Sequence, residues 1–442
     1  MKKYNKNDLV ELEIIDFTEQ GEGIGKIEGF TIFVKNTLIG DIILSKLIKV
    51  KKNYAIGIVD KFIKYSDYRI SEDNDLCGCC MLSNLDYKKE LEYKENNVKE
   101  LLKRVGKVEE YEYLGIVKAD NINEYRNKAS FPVREENQKI KVGFFKPHTH
   151  KIIDNHICKL QNKESYEIKD IFIKYMNDNK ITAYNEETGK GLVKHLVVRS
   201  IEDKHYLTIV INSNKVFNFL NLESYLKSYK IEGISINLNA SKNNVILSNK
   251  TICINGKNNI LGKIGSKKYL ISPNSFFQIN NIQTKRIYDE VIKFGDLQKE
   301  DTVLDLFCGI GTISIYIADR VKKVIGVENV EAAIIDAKEN AKINNVENVD
   351  FICGNCEDVV ENNDKFRVNK IILDPARKGL DLKLIETIEK LSPEKIVYVS
   401  CNPATLARDI ELFKNYKLEK VKLFDFFPNT LHVETICLLV RI

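Results

Sequence analysis

The chain contains no tryptophan. Asparagine, lysine and isoleucine are abundant instead, which reads as a compositional habit and not as a trace of function. No apolar run approaches the roughly 18 residues that a transmembrane helix needs, so no membrane partner is expected. The opening MKKYNKNDLVEL has a charged lead but lacks the apolar stretch of a secretory signal, and the expected location is cytoplasmic. There is no internal repeat and no low-complexity segment long enough to act as a linker. A large excess of one charge is also missing. The formal net charge is +5, which permits an RNA partner but equally suits a solvated basic face.

What is present fits a globular protein, with 43% hydrophobic and 30% charged residues. The 442 residues suggest two to four domains. Ten cysteines in a reducing compartment are not expected to form disulfides. Their distribution is uneven. Cys77, Cys79 and Cys80 are bunched, Cys158 stands alone, and Cys401 lies between two loops rich in polar groups.

Three regions follow from patterning. Residues 1–60 alternate apolar and polar positions around the glycine-dense EQGEGIGKIEGF, which predicts short strands in a small β-barrel. Flanking lysines suit nucleic-acid binding, although a purely structural barrel has the same pattern. Residues 61–268 hold the cysteine cluster, one charge-laced helix and a series of alternating segments, which predicts a β-rich, antiparallel central domain. From 269 to 442 strands alternate with helices, which predicts an α/β, doubly wound parallel sheet.

In that last region TVLDLF leads into the turn Cys308-Gly309-Ile310-Gly311 and then a helix. Such a turn lets backbone approach a ligand at a strand's carboxyl end. Glu328 ends the next strand, where a carboxylate can accept both hydroxyls of a ribose. The third glycine of a dinucleotide fingerprint is missing. That favours the adenosyl group of S-adenosylmethionine, with NAD or a plain structural turn as the alternatives. The C-x-x-C at Cys353 and Cys356 reads as an ordinary turn and not as a metal or redox pair.

Three further loops carry reactive groups: Asp374-Pro375-Ala376-Arg377, Ser400-Cys401-Asn402-Pro403 and His432-Val433-Glu434-Thr435. Cys401 precedes a helix expected to start at Pro403, so its thiol is expected to have a lowered pKa at the positive end of the helix dipole. The alternative is an inert cysteine at a strand end. A thiolate is what methylation of uracil carbon 5 requires. Addition at carbon 6 makes carbon 5 nucleophilic, and a base must later remove the carbon 5 proton. Glu434 is the candidate base. Asp374 would orient the uracil, or else cap its loop.

These residues resemble the RNA uridine C5-methyltransferases, which act on 23S ribosomal RNA or on the transfer-RNA T loop. The stretches that carry the resemblance are SPNSFFQIN (272–280), DLFCGIGT (305–312), GVEN (326–329), ILDPARKGL (372–380), VYVSCNPATLARD (397–409) and FPNTLHVET (427–435). The front of the chain is similar to the TRAM domain, a small RNA-binding barrel. The resemblance implies a class I methyltransferase sheet with Cys401 as nucleophile and Glu434 as proton acceptor. It implies Gln278, Phe307, Glu328 and Asp374 at the S-adenosylmethionine site, and Phe276 and Phe277 as candidates for stacking on a base. The N-terminal barrel points to the 23S ribosomal RNA branch, with transfer RNA as the alternative. A NAD-linked oxidoreductase would leave Cys401 and Glu434 without a task. A non-catalytic RNA-binding protein would not need the loops at 374 and 401.

Many ribosomal RNA members hold a [4Fe–4S] cluster on C-x5-C-G-G-C and a distant fourth cysteine. Here Cys77, Cys80 and Cys158 match, Ser71 stands at the first position, and Cys79 replaces a glycine. The resemblance leaves three readings open: a cluster with an altered fourth ligand, a zinc ion, or neither.

Overall fold

The structure, a computed structural model, describes residues 4–18, 20–71, 77–147, 149–153, 156–362 and 367–442. Strands β1 (Leu9–Phe17), β2 (Gly23–Ile27), β3 (Phe30–Val34), β4 (Ile42–Val50) and β5 (Tyr54–Lys64) close into a barrel in the order β1-β2-β3-β5-β4. Alternate side chains, among them Val10, Leu12 and Ile14 of β1, fill its interior with Ile32, Val34, Ile43 and Leu47. The period of two seen in the sequence is this inside-outside alternation.

Helix α1 (Tyr87–Arg104) and strand β6 (Glu112–Val117) follow. Next come β7 (Lys128–Glu136), β8 (Lys139–Val142), α2 (Lys163–Asp178), β9 (Val193–Ile201), β10 (Lys204–Ile211), the single turn α3 (Leu222–Tyr225), β11 (Lys230–Leu238) and β12 (Thr251–Gly256). The central sheet runs β12-β11-β10-β9-β7-β8. It is mixed, not antiparallel as expected, because β10 and β11 pair in parallel. The segment carrying α3 returns the chain to the same end of the sheet, and a four-residue helix leaves no periodic signal to read. A hairpin, β13 (Ile260–Ile264) and β14 (Lys267–Ile271), leads out of this region.

The C-terminal part contains α4 (Asn281–Gly295), β15 (Thr302–Leu306), α5 (Thr312–Ile317), β16 (Lys323–Glu328), α6 (Glu331–Ile343), β17 (Val349–Cys353) and α7 (Cys356–Glu361). It continues with β18 (Lys370–Leu373), α8 (Leu382–Leu391), β19 (Lys395–Ser400), α9 (Pro403–Leu412), β20 (Tyr416–Phe424) and β21 (Glu434–Arg441). Its sheet runs β17-β16-β15-β18-β19-β21-β20-β6. Strands β15 to β19 are parallel, and β21 is antiparallel to both its neighbours. One apolar cluster packs α4 and α6 on one face, and a second packs α1, α8 and α9 on the other. The expected doubly wound sheet is therefore present.

It has one strand more than its own stretch of sequence supplies. Strand β6, from within 61–268, pairs in parallel with β20, and α1 packs in the cluster with α9. Parallel partners so far apart in the chain have no turn between them to announce the pairing.

The loop 425–433, between β20 and β21, is fixed by a buried ion cluster. Lys94 of α1 is fully buried and donates to Glu90 Oε1 (2.5 Å), Asp425 Oδ1 (2.6 Å) and the Phe427 carbonyl (3.2 Å). Tyr87 donates to the other oxygen of Asp425 at 2.6 Å. Removing the cation leaves two buried carboxylates unpaired. Lys94→Ala is therefore expected to cost about 3–5 kcal/mol of stability, read by urea denaturation followed by circular dichroism. A loss below about 1 kcal/mol, the range of an exposed pair, would contradict this account.

Candidate active site

The strand order reverses once in this sheet. From β15 the chain moves outward to β16 and β17, then returns to β18 on the other side of β15. A crevice opens at such a switch point, above the strands' carboxyl ends. Leu306 pairs with Leu373, and Leu373 with Tyr398, so the loops after β15, β18 and β19 emerge side by side. Strand β21 runs the other way, so its first residue lies at the same edge. Ser400 pairs with Thr435, which sets Cys401 and Glu434, each the next residue along, opposite one another.

The loop after β15 is tightly bent. Phe307, Gly309 and Gly311 all have positive φ, at 66°, 54° and 78°. A side chain at Gly311 would meet the Phe351 ring at 2.7 Å, whereas a Cβ at Gly309 would meet nothing within 4 Å. Phe307 is the unusual member, since the left-handed region costs a non-glycine residue roughly 1–3 kcal/mol. Glu328 closes the loop from the neighbouring strand. One carboxylate oxygen accepts from Gly309 N (3.2 Å) and the other from Val330 N (3.0 Å). Asp305 is buried beneath, and burial pushes its carboxyl up to about 7. Ser314 donates to its Oδ2, and its Oδ1 has no partner among the described residues. An orphaned acceptor beneath an open glycine turn suits a ligand that carries N–H donors, as an adenosyl amino acid does.

Across the crevice Gln278 donates to Asp374 at 3.4 Å. Asn127 from β7's approach secures Gln278 by donating to its carbonyl (2.8 Å) and to Asn281 (3.0 Å). Thus Phe307, Glu328, Asp374, Cys401 and Glu434 lie along one edge of the sheet, at the ends of β15, β16, β18, β19 and β21, and Gln278 joins them through Asp374. The two phenylalanines before Gln278 divide. Phe277 is 2% exposed and packs in the core near Tyr269, so it is not a stacking platform, whereas Phe276 is 69% exposed. Strand-like alternation sends neighbours to opposite sides, and the two identical residue types concealed which was which.

The electrostatics of Cys401 differ from the sequence expectation. Its thiol is pushed up to about 12, first by burial and then by the charges of Glu434 and Asp374. The start of α9 does not offset this. Asn402 caps it, accepting from Ala404 N at 3.0 Å, so part of the positive end is already used. Burial also pushes Asp374 up to about 7 and Glu434 well above the usual carboxylate range, the latter reinforced by Asp374. The cation acting against these shifts is Arg377, which draws both Cys401 and Glu434 down. Asn402 Nδ2 and Thr405 Oγ1 hold its loop by donating to the Arg377 carbonyl at 3.2 and 3.1 Å. Sequence reading gave Asp305 and Arg377 no role, although both lie inside motifs it singled out.

The second cysteine group lies in the central region. The Cys77, Cys79 and Cys158 sulfurs all lie within 4.8 Å of one another, and Cys80 Sγ is 3.4 Å from Cys158 Sγ. Hydrogen bonds from its neighbours' thiols push Cys158 far down and hold Cys77 and Cys79 up. A four-iron cube binds each thiolate at a separate corner, which spreads the ligands wider than this. At the first position of the family pattern stands Ser71, whose hydroxyl is a poor soft-metal ligand. The spacer 72–76 lies outside the described residues. The donor set does not fit a [4Fe–4S] cluster. Cys353 is exposed and Cys356 buried, and they belong to no such group among the described residues.

Comparison with known proteins gives consistent results. The tRNA (Uracil-5-)-methyltransferase family profile matches residues 86–442, and the TRAM domain profile matches residues 5–59. An uncharacterized RNA methyltransferase of Clostridium tetani is 40% identical over 448 aligned residues, covering 98% of this chain and 96% of that protein. One from Clostridium acetobutylicum is 38% identical, covering 99% and 98%. The crystal structure of Pyrococcus abyssi tRNA (uracil-54, C5)-methyltransferase in complex with S-adenosyl-L-homocysteine superposes with a TM-score of 0.79 at 28% identity. It covers 97% of this chain and 99% of that one.

Arg377→Gln removes the cation that draws the thiol down. Alkylation of Cys401 by iodoacetamide, followed by peptide mass mapping, is expected to slow several-fold at pH 8, with its pH profile displaced upward. An unchanged profile would remove Arg377 from this role.

Proposed function

The chain belongs to the tRNA (uracil-5-)-methyltransferase family, and from that premise we propose that it methylates carbon 5 of a specific uridine in 23S ribosomal RNA through a covalent Cys401 adduct. The observation that supports this reading is the placement of Cys401 opposite Glu434 at the crevice edge, with Asp374 alongside.

S-adenosylmethionine, when bound, supplies the methyl group, and the residues that would hold it are Gln278, Phe307, Glu328 and Asp374. The thiol of Cys401 loses its proton to solvent water, and the thiolate sulfur bonds to carbon 6 of the uracil. The ring electrons pass to carbon 5 and the carbon 4 oxygen. Carbon 5 then takes the methyl group and still carries its own proton. Glu434 removes that proton, the electrons re-form the 5,6 double bond, and the carbon–sulfur bond breaks.

The raised pKa values have opposite consequences for the two groups. They make Cys401 a poorly ionised thiol at rest, and they make Glu434 a stronger base once ionised. Arg377 and a neutralised carboxyl both favour the thiolate. Asp374, protonated up to about 7, can donate a hydrogen bond to the developing enolate oxygen.

The exposed Phe276 is the stacking candidate for a uridine taken out of its RNA fold. The barrel, an RNA-binding module in this family, serves as a second contact with RNA. Because the Pyrococcus abyssi enzyme aligns with 97% of this chain, barrel included, the presence of a barrel does not separate the two RNA classes. A T-loop uridine of transfer RNA is therefore the second reading.

RNA containing 5-fluorouridine is expected to trap the adduct, because fluorine cannot leave as a proton. A denaturant-stable complex should form with the wild type and vanish in Cys401→Ala. Glu434→Gln should accumulate adduct on ordinary RNA, with release slowed on the order of 10²–10⁴-fold, the usual contribution of a general base. Rapid turnover by that variant would remove Glu434 as the base. Mass mapping of 5-methyluridine in 23S ribosomal RNA and in transfer RNA, with and without the gene, identifies the substrate. Loss from transfer RNA alone would overturn the ribosomal reading.

A further inference from the structure

The methyl-transfer site leaves the four clustered cysteines without a task. We propose that Cys77, Cys79, Cys80 and Cys158 form a site for one tetrahedral zinc ion that fastens the segment beside the barrel to the central sheet. This reading stands apart from the catalytic proposal and does not depend on it.

The spacing carries the argument. Zinc–sulfur bonds of about 2.3 Å set tetrahedral neighbours about 3.8 Å apart. Three of the sulfurs lie within 4.8 Å of one another, and the fourth, of Cys80, lies 3.4 Å from that of Cys158. Three sulfurs at this spacing already form one face of a tetrahedron, and Cys80 closes it by swinging from its contact with Cys158 toward the other two, whereas a cube would have to push the three apart. Gly78 provides the turn that brings three ligands from four consecutive residues together. Its φ is +66°, and a Cβ there would stand 3.0 Å from Pro147. Cys158 is held independently, since its N–H donates to Tyr166 OH at 2.7 Å, and its residue is fully buried. A second partner that fixes a ligand in this way is typical of built metal sites.

The site also has a structural purpose and a way in. Directly after the cysteines, Leu82 and Leu85 pack with Phe17 and Leu38 of the barrel region and with Leu431 of the loop that precedes Glu434. Cys158 lies just ahead of α2, in the cluster that packs on the central sheet. One ion bound by both would join RNA-binding barrel, central sheet and active-site loop at a single point. A cavity of about 360 Å³, bordered by Gly21, Lys35, Arg69, Cys77 and Cys80, leads to it.

The full-length protein, produced in cells supplied with both iron and zinc and purified without oxygen, is expected to carry about one zinc per chain and no acid-labile sulfide. Cobalt exchanged for zinc should give the absorption of a four-thiolate tetrahedral site. Cys79→Ser should displace that spectrum and weaken zinc binding by more than the roughly 10–100-fold that loss of an outer partner costs. Cys353→Ser, which alters an exposed cysteine elsewhere, should change neither. Chelation should raise hydrogen exchange in residues 77–86. About four irons with matching sulfide would overturn the proposal, as would a metal-free wild type or wild-type affinity in a folded Cys79→Ser. The wild-type metal content decides the matter even where a variant fails to fold.

Discussion

The buried ammonium of Lys94 is the interaction on which the arrangement of the modules depends. It is shared between Glu90 and Asp425, two buried carboxylates of which burial pushes Glu90 up to about 7. In doing so it fixes the loop 425–433, and that loop meets α1, the start of α4, the segments around Leu82 and Ile122–Tyr125 and, through Leu431, the barrel region. Asn429 accepts from Leu82 beyond the cysteines, its amide donates to the Ile122 carbonyl, and its N–H donates to Glu90. Tyr125 donates to the Pro428 carbonyl, and Asn280 and Gln283 of the α4 start donate to those of Phe426 and Asp425. The residue that follows the loop, after His432 and Val433, is Glu434. The proposed base is therefore set in place by a charge cluster that touches no substrate.

Within the crevice the same physics acts in the opposite sense. Three groups that would each prefer water, Cys401, Asp374 and Glu434, are held together with one nearby cation, Arg377. Their protons become mutually dependent. Ionising any one raises the cost of ionising the others, so the crevice at rest favours neutral forms. Such a site keeps the thiol from side reactions, and its charge state depends on what occupies it.

Much of this was legible in the sequence because it is local. A glycine turn after a buried strand, a carboxylate ending the next strand and an Asn-Pro after a cysteine are short-range signals, and the structure brings them to one edge. What was hidden depends on distant partners or on geometry that residue types do not encode. Nothing near 112–117 reveals a parallel pairing with 416–424. Phenylalanine is not a residue one expects in the left-handed region, yet Phe307 adopts it. The pair Phe276 and Phe277 reads as two equivalent rings until the backbone sends one into the core. The expected low pKa at Cys401 failed for a similar reason. The helix dipole is a local feature, whereas the opposing carboxylates come from two other strand ends.

Strand β6 has a consequence for how the chain is made. Its hydrogen-bonding partner emerges from the ribosome about 300 residues later, some 15–60 s at ordinary elongation rates. During that interval its edge and the apolar face of α1 have nowhere native to dock. The barrel, whose strands all lie within the first 64 residues, can close at once. Assembly is therefore split in time: an early module complete in itself, and an enzyme whose sheet is sealed by β6 only after β20 is synthesised. The same pairing makes the finished sheet a record that translation has passed β20, since a chain truncated before β20 cannot seat β6 at all.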